Sequence, residues 1–163
     1  MKKFNYPLNH KADEAYMAKM CHEGWGAVRL VEGVWTFEPC KPDEYVYRVG
    51  YLRGKTEAEV EAWKKELAAQ GIEFVSRYSF WAIFRSTGEF QLYTPEEEKA
   101  LCQKIRKPML FGAVGSWLIF FLAILLIQKV SGWFVILAVL AFIYGGMCTA
   151  LRISYTNLIK RLK

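Results

Sequence analysis

Histidine is scarce: His10 and His22 are the only two in 163 residues, and neither stands in an HExxH or in a Cys/His group with metal-ligand spacing. The four cysteines, Cys21, Cys40, Cys102 and Cys148, are far apart in sequence and form no CxxC, which is the pattern of reduced thiols and not of a disulfide frame. Cys21 and His22 are adjacent, but neighbours on a helix point about 100° apart and cannot act as nucleophile and base. G-x-S-x-G, the Walker loop and GxGxxG are all missing. Gly24-Trp25-Gly26 follows a helix, whereas phosphate loops precede one. These absences leave no catalytic, cofactor or metal-binding set to name, so a non-enzymatic protein without a cofactor is expected.

Charge is missing from two long stretches, Met109–Ile127 and Trp133–Leu151. At about 1.5 Å per residue each makes a helix of about 28 Å, close to the ~30 Å hydrocarbon core of a bilayer. Core helices of soluble domains usually carry a polar stripe, and these have none. Two transmembrane helices are expected, closing as a hairpin over 109–151.

The net charge of +6 is unevenly placed. Residues 1–95 hold 13 Lys and Arg against 13 Asp and Glu, and residues 96–163 hold 9 against 3. The first part is therefore neutral, which argues against nucleic acid as a partner, since backbone binding needs clustered cations. Lys104, Arg106 and Lys107 abut the first apolar run, and Arg152, Lys160, Arg161 and Lys163 follow the second, while the link 128–132 carries only Lys129. Cations gather on the cytoplasmic side of short membrane hairpins. A multi-pass protein of the cell membrane with both termini cytoplasmic is expected, its basic tail over 152–163.

The soluble part repeats itself at an offset of 47 residues. Ala15–Val28 lies over Ala62–Val75: a helix with apolar residues four apart, a glycine (Gly24, Gly71), then a strand. Glycine at a helix end adopts positive φ at little cost. Strand-like segments precede each helix, Phe4–Leu8 and Glu44–Leu52, and longer ones follow, Ala27–Phe37 and Glu73–Arg85. The order β-α-β, twice over, predicts an α+β fold, a ferredoxin-like βαββαβ plait over 1–94 with both helices on one face of a single antiparallel sheet. Phe90–Tyr93 is read as a further strand. Thr94-Pro95-Glu96-Glu97-Glu98 opens a connector helix over 95–108, with an N-cap, a first-turn proline and acids at the positive dipole end, and Pro108 separates it from the first span. Glu57, Glu59 and Glu61 belong with Lys64 and Lys65 to a solvated helix face.

The strands carry more aromatic area than two short helices can cover. Tyr6, Trp35, Phe37, Tyr45, Tyr47, Tyr51 and Trp81 are candidates for an aromatic face that binds a partner or makes a dimer contact, since such rings give large contact area at small entropy cost. The other reading is that these rings fill the core. In the spans, Gly112 and Ser116 on the first, and Ala141, Gly145 and Thr149 on the second, are spaced by four and form small-residue faces for helix packing. Hairpin closure and self-association use such faces equally.

Lys2-Lys3-Phe4, Gly24-Trp25, Trp35-Thr36-Phe37-Glu38, Glu44-Tyr45-Val46-Tyr47-Arg48, Gly71-Ile72-Glu73-Phe74-Val75, Trp81-x-x-Phe84-Arg85 and Glu89-Phe90-x-Leu92-Tyr93-Thr94 together resemble the bacterial DUF2812 family, across residues 1–95. The second turn departs from it, with Ile72 where tryptophan is common. The resemblance implies C-terminal membrane helices, and a bacterial protein often encoded beside PadR-type regulators whose expression answers to small molecules or envelope stress. It brings no catalytic residues. The expected function is a membrane-tethered cytosolic module that binds a partner protein or a small apolar ligand through its aromatic sheet, in contact with the lipid bilayer. The alternative is a subunit of an oligomeric small transporter or channel, a homo-oligomer whose spans line a pore.

Overall fold

In the computed structural model, which describes residues 1–5, 9–127 and 133–162, the chain forms two compact units, Met1–Leu92 and Tyr93–Lys163. Tyr6, the link 128–132 and Lys163 lie outside the described residues. The first unit runs β1 (Lys2–Phe4), α1 (His10–His22), β2 (Trp25–Val31), β3 (Val34–Pro39), β4 (Val46–Tyr51), α2 (Glu57–Ala69), β5 (Glu73–Tyr78) and β6 (Trp81–Ser86); the second holds α3 (Pro95–Ile127) and α4 (Trp133–Arg161).

The fold is α+β, but the single ferredoxin-like sheet is replaced by two three-stranded antiparallel sheets, ordered β1-β3-β2 and β4-β6-β5. The reason is that each long strand expected after a helix folds back on itself. Residues 27–37 turn at Glu32-Gly33, with φ of 50° and 79°, and 73–85 turn at Ser79, with φ of 48°. Positive φ at the first turn position matches the right-handed strand twist and closes a two-residue hairpin. Residues 90–93 form no strand.

The unit repeated at 47 residues is thus β-α-β-β, and the repeat extends to fine detail. The N-caps Asn9 and Thr56 each accept a backbone N–H of the first turn, and Thr56 completes a capping box with Glu59. Gly24 and Gly71 have φ of 83° and 77°, the left-handed end anticipated for them. Bulges interrupt β2 between Ala27 and Arg29 and β5 between Phe74 and Ser76. Tyr16 of α1 meets Phe37 edge-on at 6.0 Å, as Trp63 of α2 meets Phe84 at 5.0 Å.

The copies differ in what covers the helix. Met17, Met20 and Cys21 of α1 share one core with Ala27, Leu30, Trp35 and Phe37 of the first sheet and Tyr47, Val49 and Ile83 of the second. Val60 and Leu67 of α2 share a second core with Leu52, Ile72, and Ala82 and Phe84 from the opposite face of the second sheet. Helix α1 therefore packs against both sheets, and α2 against the second alone. Side chains as large as Trp35, Phe37 and Met17 each contribute about 1.5–3 kcal/mol by leaving water, which makes α1 the centre of this unit.

In the second unit, Thr94 and Glu97 form a reciprocal cap at the start of α3. The Glu97 amide donates to Thr94 Oγ1 at 3.3 Å and the Thr94 amide to Glu97 Oε2 at 2.8 Å, which holds the Glu97 carboxyl below its usual range. Pro108 does not divide connector from span: it sits inside α3, where it withholds one helical N–H without ending the helix. Helix α4 likewise continues to Arg161, so most of the basic tail is helical. The two helices pack along small residues. A Cβ on Gly112 would lie 3.2 Å from Cys148 Sγ, and one on Gly145 3.2 Å from Ser116 Cβ. Trp117 Nε1 donates to Thr149 Oγ1 at 3.3 Å, and Ala141 is buried.

Candidate functional site

The aromatic residues singled out in the sequence do not share an open face. Trp35, Phe37 and Tyr47 are fully covered. The rings of Trp35 and Phe37 stack at 6.1 Å, and Tyr47 Oη accepts the Ala27 amide beside the β2 bulge at 2.9 Å. Burial pushes the Tyr47 phenol up to about 12, against the pull of that amide. Tyr45, Tyr51 and Trp81 are half-buried at the rim: Tyr45 lies under the Arg85 guanidinium at 4.4 Å, and Tyr51 packs on Trp81 at 4.8 Å. Tyr6 lies outside the described residues.

A different cluster forms where the first turns of α1 meet the second sheet. His10, Asp13 and Glu14 are spaced i, i+3, i+4, so they share one helix face. All three are buried, with relative exposures of 2%, 5% and 9%. His10 stacks on Trp81, rings 5.3 Å apart. Tyr78 Oη donates to Asp13 Oδ2 at 2.6 Å. Glu14 accepts the Val49 amide of β4 through Oε1 at 2.9 Å and Lys11 Nζ through Oε2 at 3.0 Å. Each acid therefore ties α1 to a different strand of the second sheet.

Asp13 is the chemically unusual member. Its Oδ1 is buried with no hydrogen-bond partner among the described residues. Burial pushes its carboxyl up to about 7, the Tyr78 hydroxyl pulls the other way, and the neighbouring Glu14 adds to the rise. A carboxyl with this affinity takes up or gives off a proton near neutrality, which an exposed aspartate does not do. Its counterpart 47 residues on is Val60, a core residue of α2. The i, i+3, i+4 spacing is the one signal of this cluster in the sequence, and nothing local marks the face as buried, because the strands that bury it come 35 to 65 residues later.

The other end of α1 carries the remaining reactive groups. Cys21 is buried and His22 exposed, as adjacent helix positions require. His22 Nδ1 meets Asp43 Oδ2 at 2.9 Å, and that contact raises the imidazole above its ordinary value. Cys21 Sγ and Cys40 Sγ lie 3.8 Å apart, both as free thiols. On α2, Glu59 caps the helix, Glu61 pairs with Lys64 and Glu57 takes Arg77 from β5 with both oxygens. Among the described residues no group of three or more His, Cys, Asp and Glu is placed to hold a metal ion.

The profile of one family, DUF2812, described as a protein of unknown function, matches residues 9–114, and the chain belongs to that family. No curated protein and no solved structure matches it.

Proposed function

We propose that this member of the DUF2812 family is a membrane-anchored, non-enzymatic module. In this reading α3 and α4 cross the bilayer as a hairpin with both ends in the cytoplasm, and the repeated domain binds a protein partner there. The observation that carries the reading is the contrast in exposure between the two units. The first buries Trp35, Phe37, Tyr47 and Phe84, whereas α3 and α4 expose Phe111, Leu118, Leu125, Leu140 and Ile143, each by more than half. Both helices are long and apolar enough to cross a membrane, and such a surface is stable against lipid.

The binding role rests on the outer face of the first sheet. Phe4, Val34 and Val31 are paired across β1, β3 and β2 and exposed by 74%, 38% and 44%. Residues paired across strands point the same way, so they form one apolar row. The next row on that face is Lys2, Thr36 and Arg29, which favours a partner with acidic residues beside apolar ones. A binding module is favoured over an enzyme because His10, Asp13 and Glu14 are covered by protein. The oligomeric conduit is the less favoured reading, since the faces at Gly112, Ser116 and Gly145 are occupied within the hairpin.

Protease treatment of inverted membrane vesicles tests the anchoring. The expected result is digestion of residues before α3 with the hairpin protected; protection of the N-terminal domain sinks the topology. A photo-crosslinker at Val34 tests the binding face in the same membranes. One protein adduct, lost on Arg29→Glu, supports it, and labelling of lipid or of nothing refutes it.

A further inference from the structure

Cys21 ends the buried face of α1, and Cys40 lies in the segment that joins the two repeats. Their sulfurs are 3.8 Å apart across 19 residues of chain. Backbone hydrogen bonds hold both partners in place: the Gly24 and Asp43 amides donate to Cys21 O at 2.9 and 3.3 Å, and the Cys40 amide donates to Gly24 O at 3.0 Å. The Tyr45 amide donates to Cys21 Sγ itself at 3.4 Å. Gly26 leaves room on the remaining side, where a Cβ would stand 3.4 Å from Cys40 Cβ and 3.5 Å from its Sγ. Closing the sulfurs from 3.8 Å to the ~2.0 Å of a disulfide is a short movement. Cys21 is 1% exposed, whereas Cys40 is only half-buried and open to a reagent.

We infer that Cys21 and Cys40 form a reversible dithiol–disulfide pair, oxidised by low-molecular-weight disulfides, which fastens the segment between the repeats to the end of α1. The Cys40 thiolate attacks the reagent RS–SR, forming Cys40–S–SR and releasing RS⁻. The Cys21 thiolate then attacks the Cys40 sulfur and expels the second RS⁻. Two thiols lose two electrons to the reagent, and their protons leave with the two RSH formed. The thiolate of Cys40 is scarce at neutral pH: burial, with the hydrogen bond its thiol gives to Cys21 and the charge of Glu44, pushes the thiol up to about 11 against the pull of Arg85. Oxidation therefore runs about tenfold faster for each pH unit between 7 and 9, because only the thiolate attacks.

Oxidised glutathione applied to the full-length protein in detergent, followed by peptide mass mapping, tests the pair. The expected product is a Cys21–Cys40 disulfide within one chain, reversed by dithiothreitol and formed at a rate that rises with pH as stated. In Cys21→Ser, Cys40 stops at the mixed disulfide with glutathione. In Cys40→Ser, at the more exposed position, Cys21 stays a thiol. A wild-type protein that stays reduced through pH 9 overturns the inference, as does one that keeps glutathione on Cys40 without losing the second thiol or crosslinks between chains.

Discussion

Asp13 gives the sharpest test of the buried cluster. Its carboxyl stands at about 7 in the folded protein against an ordinary 3.8. A raised value means that the folded state binds the proton more tightly than the unfolded one, so the stability it brings is complete below pH 4 and is lost as pH rises through 7. Between pH 5 and pH 7 the unfolded carboxyl is already ionised and the folded one is not, which corresponds to two pH units, or about 3 kcal/mol at ~1.4 kcal/mol per unit. Asp13→Asn removes this slope while keeping an acceptor for Tyr78. The new amide N–H₂ takes a buried place and costs about 1–3 kcal/mol if it finds no acceptor, but that cost does not change with pH. The slope, not the absolute stability, is therefore the quantity to compare. The assay is urea unfolding of the full chain in detergent at pH 5, 6, 7 and 8, read by tryptophan fluorescence. The wild type is expected to lose about 3 kcal/mol more than Asp13→Asn between pH 5 and 8. His22, raised by its contact with Asp43, also loses stability as pH rises, but it does so in both proteins and cancels in the difference. Tyr78→Phe removes the hydroxyl that holds Asp13 down, so the loss should extend above pH 7. Parallel curves for wild type and Asp13→Asn from pH 5 to 8 refute the assignment.

Two further substitutions probe the packing. At Gly50 in β4, a Cβ would overlap the Trp63 ring and stand 3.2 Å from Phe84 Cε2, so Gly50→Ala should cost about 1–3 kcal/mol by overpacking. Trp63→Leu should restore part of that loss; a lowered urea midpoint for the single variant that the double variant does not recover contradicts the contact. Between α3 and α4, Gly145→Leu should separate the helices at Ser116 and Trp117 and lower the thermal midpoint in detergent, with Gly145→Ala affected far less. Equal midpoints for all three proteins mean that the helices do not meet there.

Much of this fold was legible because glycine and helix spacing are local. The 47-residue repeat rested on two helices that each end at a glycine, and both glycines needed positive φ. The hairpins were harder to read. Trp35-Thr36-Phe37 and Trp81-Ala82-Ile83-Phe84 look like ends of long strands, and the turn at Ser79 uses no glycine, asparagine or aspartate to announce itself. Once the chain turns back within each half, each helix is followed by a hairpin, and one four-stranded plait becomes two three-stranded sheets. Pro108 was misleading for a related reason, since proline ends helices in water more readily than within a long apolar helix that packs on a neighbour. Trp35, Phe37, Tyr47, Tyr51 and Trp81 lie on strands and Tyr45 just before β4, but alternation along a strand does not say which side a second sheet will cover.

The two copies of the repeat show where ordinary folding needs end and specific chemistry begins. The second copy builds its sheet and helix with Val60 and Leu67 inside and charges outside, so the β-α-β-β unit requires no buried acid. The first copy has Asp13 at the position of Val60 and Cys21 at that of Ala68, and it encloses both because the second sheet closes over α1. Burying a carboxyl oxygen without a partner costs free energy, by about 1–3 kcal/mol for an unsatisfied group and more when it is charged, and a valine at that position would avoid the cost. Neither the acid nor the thiol is explained by the repeat, and both lie on the one helix that contacts both sheets. A change of protonation at one end of α1, or of thiol state at the other, therefore acts on contacts that hold the two halves together. The exposed row on the first sheet is built on strands whose other face packs against α1 through Ala27, Leu30, Trp35 and Phe37.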